Sequence, residues 1–586
     1  MFMNMRKANI LTTIIKNPCT NQRALAALTG YSLGMINKTV KELMADGYLK
    51  EGIVPTEKAL EEYESSVPEN AVILAAGFGM RMVPINLVVP KAMLEVRNEP
   101  LIERLIRQLH EAGVRKITVI VGFMKESFEY LIDEYGVKLV FNPDYAKKNN
   151  LFSLALAAGE ISNTYIVPSN IWSAKNPFRT HELCSWYMVS DQTDQDSDVR
   201  VNRKKELVKV SEQEMGNTML GICYLKDADA SLVRDRILKA SACSKNNDEY
   251  WETALFDDDK MIIPARVVPS RDIVVINTYE QLRELDGESN NLKSEALDVI
   301  ADVFGASPLD IVDIQVLKKG MTNRSFLFSV HGEKYIMRIP GEGTDHLINR
   351  EQEAEVFRTI SGLGLCDDPV YINPANGYKI TKFLDGIRVC DPDSTPDLTR
   401  CMEKLRQFHE MKLTVPHTFD IFEQLEFYES LRNGKPSMFK DYARTKANVF
   451  RLKEFIDGLD REWCLSHIDA VPDNFLFYRP DGQPEELLQL TDWEYAGMQD
   501  PHVDIAMFSI YSMYDKEQID RLIDIYFQNE CDQTTRAKIY AYVAACGLLW
   551  SNWCEFKHNL GVEFGEYSLR QYRYAKDYYK YCRELI

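Results

Sequence analysis

Residues Ser466-His467-Ile-Asp469-Ala-Val-Pro-Asp473-Asn474-Phe-Leu476, followed by Leu490-Thr-Asp492-Trp-Glu494-Tyr495, decide how the C-terminal half of this chain is read. Asn474 follows Asp469 by five residues, and Asp492 follows Asn474 by eighteen. Phosphoryl transfer to an alcohol needs one carboxylate to accept the hydroxyl proton. It also needs an Asn and a second Asp to hold Mg²⁺ on the phosphates. Asp469, Asn474 and Asp492 match those roles at the right spacing, Asp492 at the end of a short strand. His467 reads as a support for the loop rather than a proton carrier.

Upstream, the pattern is that of the small lobe such a site requires. Gln315-Val-Leu-Lys-Lys-Gly320-Met-Thr-Asn323-Arg-Ser-Phe reads as strand, loop, strand, with Gly320 and Asn323 in a loop covering ATP phosphates. Lys334-Tyr-Ile-Met-Arg338-Ile-Pro is the next strand, and Arg338 is the cation for the α/β-phosphates. Asn349-Arg-Glu351-Gln-Glu353-Ala-Glu355 opens a helix. Glu353 is the expected partner of Arg338, with Glu351 and Glu355 as alternatives. Tyr378 to Leu384 is the expected hinge beside adenine.

Together, HIDAVPDNFL, TDWEYAG, Asp504-Ile-Ala and Leu549-Trp550-Ser-Asn-Trp553 resemble the bacterial choline/ethanolamine kinases of the aminoglycoside-phosphotransferase-like superfamily, over about residues 300–586. The resemblance implies a bilobal protein-kinase-like fold, ATP with Mg²⁺ on Asn474 and Asp492, and choline as the acceptor. A quaternary ammonium has no N–H to donate, so aromatic faces and nearby carboxylates must hold it. Trp550 and Trp553, three apart on one helical face, are the first candidates. Glu494, Tyr495, Tyr511, Tyr514 and Tyr567 follow. Ethanolamine or an aminoglycoside is the alternative acceptor. A DNA-binding regulator that senses choline or nucleotide is the alternative of a different class.

A second motif lies in the middle of the chain. Ala71-Val-Ile-Leu-Ala-Ala76 is an apolar run suited to a buried parallel strand. It runs into Gly77-Phe-Gly79-Met-Arg81, with Pro90-Lys91 shortly after. Glycines after a strand let backbone N–H groups approach phosphates. LAAGxGxR…PK resembles the nucleotidyltransferases of sugar phosphates and phosphocholine. Asn142-Pro-Asp-Tyr and Asn149-Asn-Leu-Phe-Ser narrow the resemblance to phosphocholine cytidylyltransferases, over about residues 69–285. It implies a doubly wound α/β domain, CTP and phosphocholine as ligands, and Ala76, Gly77, Gly79, Arg81 and Lys91 at the triphosphate. It also implies two Mg²⁺-binding aspartates. At those places this chain reads Pro168-Ser-Asn170 and Ile276-Asn277-Thr278. An amide brings no formal charge to a hard cation. Weak or absent transfer is the expectation, with Glu249 or Glu252 as the alternative source of a metal site.

At the N-terminus, residues 10–16, Asn21–Leu28 and a helix capped by Ser32 precede a small hairpin at Gly47–Val54. Thr20 or Asn21 is the expected cap of the second helix. The pattern resembles the winged helix-turn-helix of bacterial regulators. It implies DNA contact through Ser32, Asn37, Lys38 and Lys41; docking of a protein is the alternative.

The whole chain has 586 residues and a net charge of −19 from 69 basic and 88 acidic side chains. Residues 1–68 carry +1, 69–290 carry −6 and 291–586 carry −14, and those are the expected domains. Such acidity disfavours a generic nucleic-acid coat or an anionic membrane surface. With no leader-like start, no membrane-length apolar run and twelve scattered cysteines, a cytoplasmic protein with reduced thiols is expected. A homodimer is left open. The fold class expected is a multidomain α/β and α+β chain: winged helix, doubly wound nucleotidyltransferase-like domain, then bilobal kinase-like domain.

Overall fold

The computed structural model describes all residues except 1–2, 19–20, 86–88, 196, 198, 212–213, 318–322, 341–347, 367, 433, 481–484 and 560–563, and the side chains of 80, 227, 228, 244, 323 and 559. The chain divides into two compact units: residues 1–302 with 312–316, and residues 303–311 with 317–586.

The first unit begins with helices Met5–Lys16, Gln22–Thr29 and Leu33–Ala45. Asn21 caps the second, its Oδ1 accepting from Ala24 N at 2.9 Å. Ser32 caps the third, its Oγ accepting from Met35 N at 3.3 Å. Strands Leu49–Lys50 and Val54–Pro55 form the wing. Ile10, Leu11, Ile14, Leu25, Ile36, Val40 and Leu43 close one small core, and Leu183 of the following domain is built into it. Tyr63 also stacks on His181, ring centroids 4.1 Å apart. Winged helix and α/β domain are thereby packed as one body.

The α/β domain centres on strand Asn70–Ala75, parallel to Lys116–Val121 on one side and Thr164–Pro168 on the other. Lys138–Phe141 extends the parallel side. Beyond Thr164–Pro168 the sheet turns antiparallel through Gly216–Leu225 and Trp186–Asp194. Alternate residues feed opposite cores: Val72 packs with Leu151, Leu154 and Val233, and Ile73 with Ile102, Leu105 and Ile106. The first strand thus sits where the chain leaves in both directions, and ligands of open α/β sheets bind at the carboxyl ends of such strands. Asn170 stands just beyond that end. It precedes Ile171–Ser173, which pairs with Ile273–Val275 and so draws Asn277 to the same edge.

In the second unit, strands Asn323–Val330, Glu333–Pro340, Tyr378–Lys382 and Tyr371–Asn373 form an antiparallel sheet in that order. Helix Arg350–Ile360 belongs to the same lobe. Below it lies a mainly helical lobe. Its core runs through the 27-residue helix Gln533–Asn559 and the terminal Glu566–Leu585. Ala541 to Leu549 are buried there among the other helices. No helix among the described residues is long and apolar enough to cross a membrane. Among the described residues, eleven cysteines are free.

Candidate functional site

Strand Cys464–Ser466 pairs with Gly497–Gln499 and delivers the chain into His467-Ile-Asp469. Asp504, fully buried at the start of helix His502–Tyr511, accepts from His467 N at 2.9 Å and Ile468 N at 2.7 Å. His409 Nε2 lies 2.9 Å from the same carboxylate, and its Nδ1 lies 2.8 Å from the Tyr526 hydroxyl. This arrangement fits an imidazole that donates to Asp504 and accepts from Tyr526. His467 is itself buried, bonded through Nε2 to the Thr491 carbonyl at 2.9 Å and packed 4.4 Å from the Trp493 ring. It therefore ties the two acidic segments together. Ile468 and Asp492 both hold left-handed backbone angles, φ 69° and 64°. Such strain persists only where surrounding contacts over-determine it.

Asn474 Nδ2 donates to Asp469 Oδ2 at 3.1 Å and to the Asp469 carbonyl at 2.9 Å. That leaves the amide oxygen as the donor a cation would meet. Burial, with Asp492 and Glu494 nearby, pushes the Asp469 carboxyl up to about 8. Its side chain borders the cavity, so water tempers that push. Asp469, Asn474, Asp492 and Glu494 line one cavity of about 790 Å³.

Arg338 enters the same cavity from the small lobe. Its Nη1 and Nη2 donate to the two Glu353 oxygens at 2.5 and 2.8 Å. Glu351 is exposed and Glu355 pairs with Arg358, so Glu353 is the partner. Burial alone would raise the Glu353 pKa, but Lys379, Arg338 and Arg350 hold it down at about 2. Lys379, whose Nζ lies 3.6 Å from Glu353, also lines the cavity. Sequence reasoning placed it only within the expected hinge beside adenine, with no role at the phosphates. Its neighbours come from another strand and from a helix, so only the alternation along Tyr378–Lys382 could have marked it. Gly320 lies outside the described residues, as does the Asn323 side chain.

The far wall is aromatic. Trp550 and Trp553 meet edge to face at 5.1 Å, and Phe564 lies 5.1 Å from Trp553. Tyr567 and Tyr511 are 6.4 Å apart, and the Tyr511 hydroxyl donates to Asp473 at 2.7 Å. Tyr495 completes the lining. Tyr514, expected with this set, is absent from it. The helix ends at Tyr511 and Met513 takes φ 53°, which sends the Tyr514 hydroxyl to the Pro392 carbonyl. Phe564, which no motif marked, stands in the wall instead.

In the first unit, Gly79 has φ 66°, and a Cβ there would meet the Lys91 Cβ at 3.2 Å. Lys91 Nζ donates to Asn277 Oδ1 at 2.8 Å, and Asn170 Nδ2 donates to the same oxygen at 3.0 Å. Burial and the Arg81 charge lower Lys91 to about 7. Ala76, at the strand end, accepts from Phe123 N at 3.1 Å. Glu252 accepts from the Tyr187 hydroxyl at 3.1 Å. No cluster of three or more His, Cys, Asp or Glu able to hold a metal occurs among the described residues.

Three family models match consecutive stretches of the chain. Winged helix-turn-helix DNA-binding covers residues 6–50, a MobA-like NTP transferase domain covers 71–168, and choline/ethanolamine kinase covers 314–557. The choline-phosphate cytidylyltransferase of Streptococcus pneumoniae is 32% identical over 230 residues, which are 37% of this chain and 96% of that protein. The chain belongs to the choline-phosphate cytidylyltransferase family, fused to a choline kinase domain and a winged helix. Over the kinase domain, Protein LicA of Haemophilus influenzae is 27% identical across 268 residues, 43% of this chain and 96% of that protein. A crystal structure of choline kinase LicA from Streptococcus pneumoniae is 27% identical, covering 49% of this chain and all of that one at a TM-score of 0.42. In the fused enzyme, the winged helix leaves Ser32, Asn37, Lys38 and Lys41 exposed along one helix.

Proposed function

We propose that the C-terminal domain transfers the γ-phosphoryl group of ATP to choline, giving ADP and phosphocholine. The observation that carries this reading is a single cavity joining three sets of groups: Asp469, Asn474 and Asp492, then Arg338 with its partner Glu353, then the aromatic wall. The positive charge of bound choline favours the ionised form of Asp469, which takes the hydroxyl proton as the oxygen bonds to phosphorus and the bond to ADP breaks. Asn474 and Asp492 would hold Mg²⁺, which neutralises charge on the phosphates when bound; few protein oxygens suffice because the phosphates supply others. Arg338, oriented by Glu353, and Lys379 face the phosphate end. Trp550, Trp553, Phe564 and Tyr567 offer faces to the trimethylammonium group, each contact worth roughly 0.5–2 kcal/mol. Choline is favoured over ethanolamine because the Trp550, Trp553 and Phe564 rings suit a trimethylammonium group that has no N–H to donate. ADP release followed with and without choline tests the reading, and release indifferent to choline overturns it.

Trp553→Ala is expected to raise the choline KM by about 10–100-fold while the ATP KM stays within about twofold, since one ring removed costs about 1–3 kcal/mol of cation binding and packing. Equal effects on both substrates would place the ring in the general core instead. In the first unit, DNA is the ligand class of the winged helix, met through Asn37, Lys38 and Lys41. A mobility shift weakened by salt and by Lys38→Ala supports it.

A further inference from the structure

The middle domain holds a cluster that phosphorylation of choline does not use. The cytidylyltransferase resemblance puts Mg²⁺ between two carboxylates, at the places of Asn170 and Asn277. These residues do not fit that ion. Both are neutral amides, hydrogen-bonded to each other at 3.0 Å. The Asn277 oxygen, the atom a metal would need, already accepts a second bond, from the Lys91 ammonium at 2.8 Å. A hard dication binds poorly where no ligand brings a formal negative charge, and here it would also face an ammonium group bound to the same atom.

The loss of the carboxylates nonetheless leaves the charge balance facing a ligand unchanged. Two carboxylates and one Mg²⁺ cancel, and so do two amides with no metal. In either case Lys91 and Arg81 remain to face phosphates, whose negative charge favours the protonated Lys91. Arg81 lines a cavity together with Asn277, and Lys91 donates to that Asn277 at 2.8 Å, so the two side chains meet one region. A cavity of about 670 Å³, room for a mononucleotide, opens beside Arg81 and Asn277. What disappears is the metal's ability to activate phosphorus and to stabilise departing pyrophosphate.

We propose that the middle domain binds a nucleoside triphosphate without any divalent metal, on Lys91 and Arg81, and does not transfer its nucleotidyl group. Binding and turnover are thereby separated in this domain, and the proposal is independent of the kinase reading.

The test is calorimetric titration of CTP into the full chain, once in EDTA and once in Mg²⁺, with pyrophosphate release followed in parallel in the presence of phosphocholine. The affinity is expected to agree within about twofold between the two conditions, with no pyrophosphate released. Lys91→Met should weaken the EDTA-insensitive binding at least about tenfold while leaving choline-dependent ADP release intact, which assigns the binding to this site. The double variant N170D/N277D should restore the metal requirement: affinity at least about tenfold higher with Mg²⁺ than with EDTA, and pyrophosphate release above the wild type. Wild-type binding that is absent in EDTA, binding untouched by Lys91→Met, or wild-type pyrophosphate release each overturns the proposal. The wild-type titration decides it even if the double variant fails to fold.

Discussion

Asp469→Asn is expected to lower choline-dependent ADP release by about a thousandfold, the usual range for a lost general base, and at the same time to make the unliganded protein more stable. The two effects share one cause. Burial, and after it the nearby Asp492 and Glu494, pushes the carboxyl up to about 8, against an ordinary value of 3.8. The unfolded chain therefore ionises first, and folding loses stability as pH rises from about 4 towards 8. An amide of the same shape is never charged. It keeps an oxygen for Asn474 Nδ2, which now donates to Asp469 Oδ2 at 3.1 Å. Because the side chain borders a watery cavity, the gain is discounted to about 1–2 kcal/mol at neutral pH, or roughly 3–6 °C in Tm. It should shrink on acidification and vanish near pH 4. A thermal melt at three pH values beside the ADP assay checks both halves. Lost activity with lowered stability at every pH would mean that the carboxylate is structural.

How much of this site was legible follows from where its parts lie along the chain. Asp469 and Asn474 share one loop, so spacing alone related them. Arg338 and Glu353 come from neighbouring elements with clear periodicity, and their bidentate pair follows the expected pairing. Lys379 and Phe564 reach the cavity only through tertiary packing, which no local pattern encodes. Tyr514 failed for the opposite reason. It looks like a continuation of Tyr511, but a left-handed Met513 breaks the helical phase between them. In the middle domain, the amides were visible against the family pattern because single positions had changed. Their mutual hydrogen bond, across 107 residues, and the capture of Lys91 required the pairing of Ile171–Ser173 with Ile273–Val275. The packing of Leu183 into the winged-helix core was equally invisible, since nothing in a lone leucine names the domain it will serve.

Asp504→Asn should separate support of the catalytic loop from chemistry within it. The wild-type carboxylate divides its oxygens: Oδ1 accepts from Ile468 N, and Oδ2 from His467 N and His409 Nε2. An amide has one oxygen. Whichever way it turns, its NH₂ faces at least one of these buried donors, and at neutral charge the remaining bonds weaken. Each unsatisfied buried donor costs about 1–3 kcal/mol, so a loss of about 2–4 kcal/mol is expected from the substitution. Asp504→Ala, which strands all three donors and leaves a void, should cost more. Asp504 is not among the residues that line the cavity, yet it fixes the two residues before Asp469. Displacement of a catalytic group by about 1 Å can cost a hundredfold in rate, so kcat should fall by about that factor in folded Asp504→Asn protein. The choline KM should move little, because Trp550, Trp553 and Tyr567 belong to the two C-terminal helices. Kinetics measured well below the variant's Tm, with the folded fraction determined at the same temperature, separate this from simple unfolding, which would lower apparent kcat only in proportion to the folded fraction lost. Unchanged kcat in a destabilised variant would assign Asp504 to the core alone.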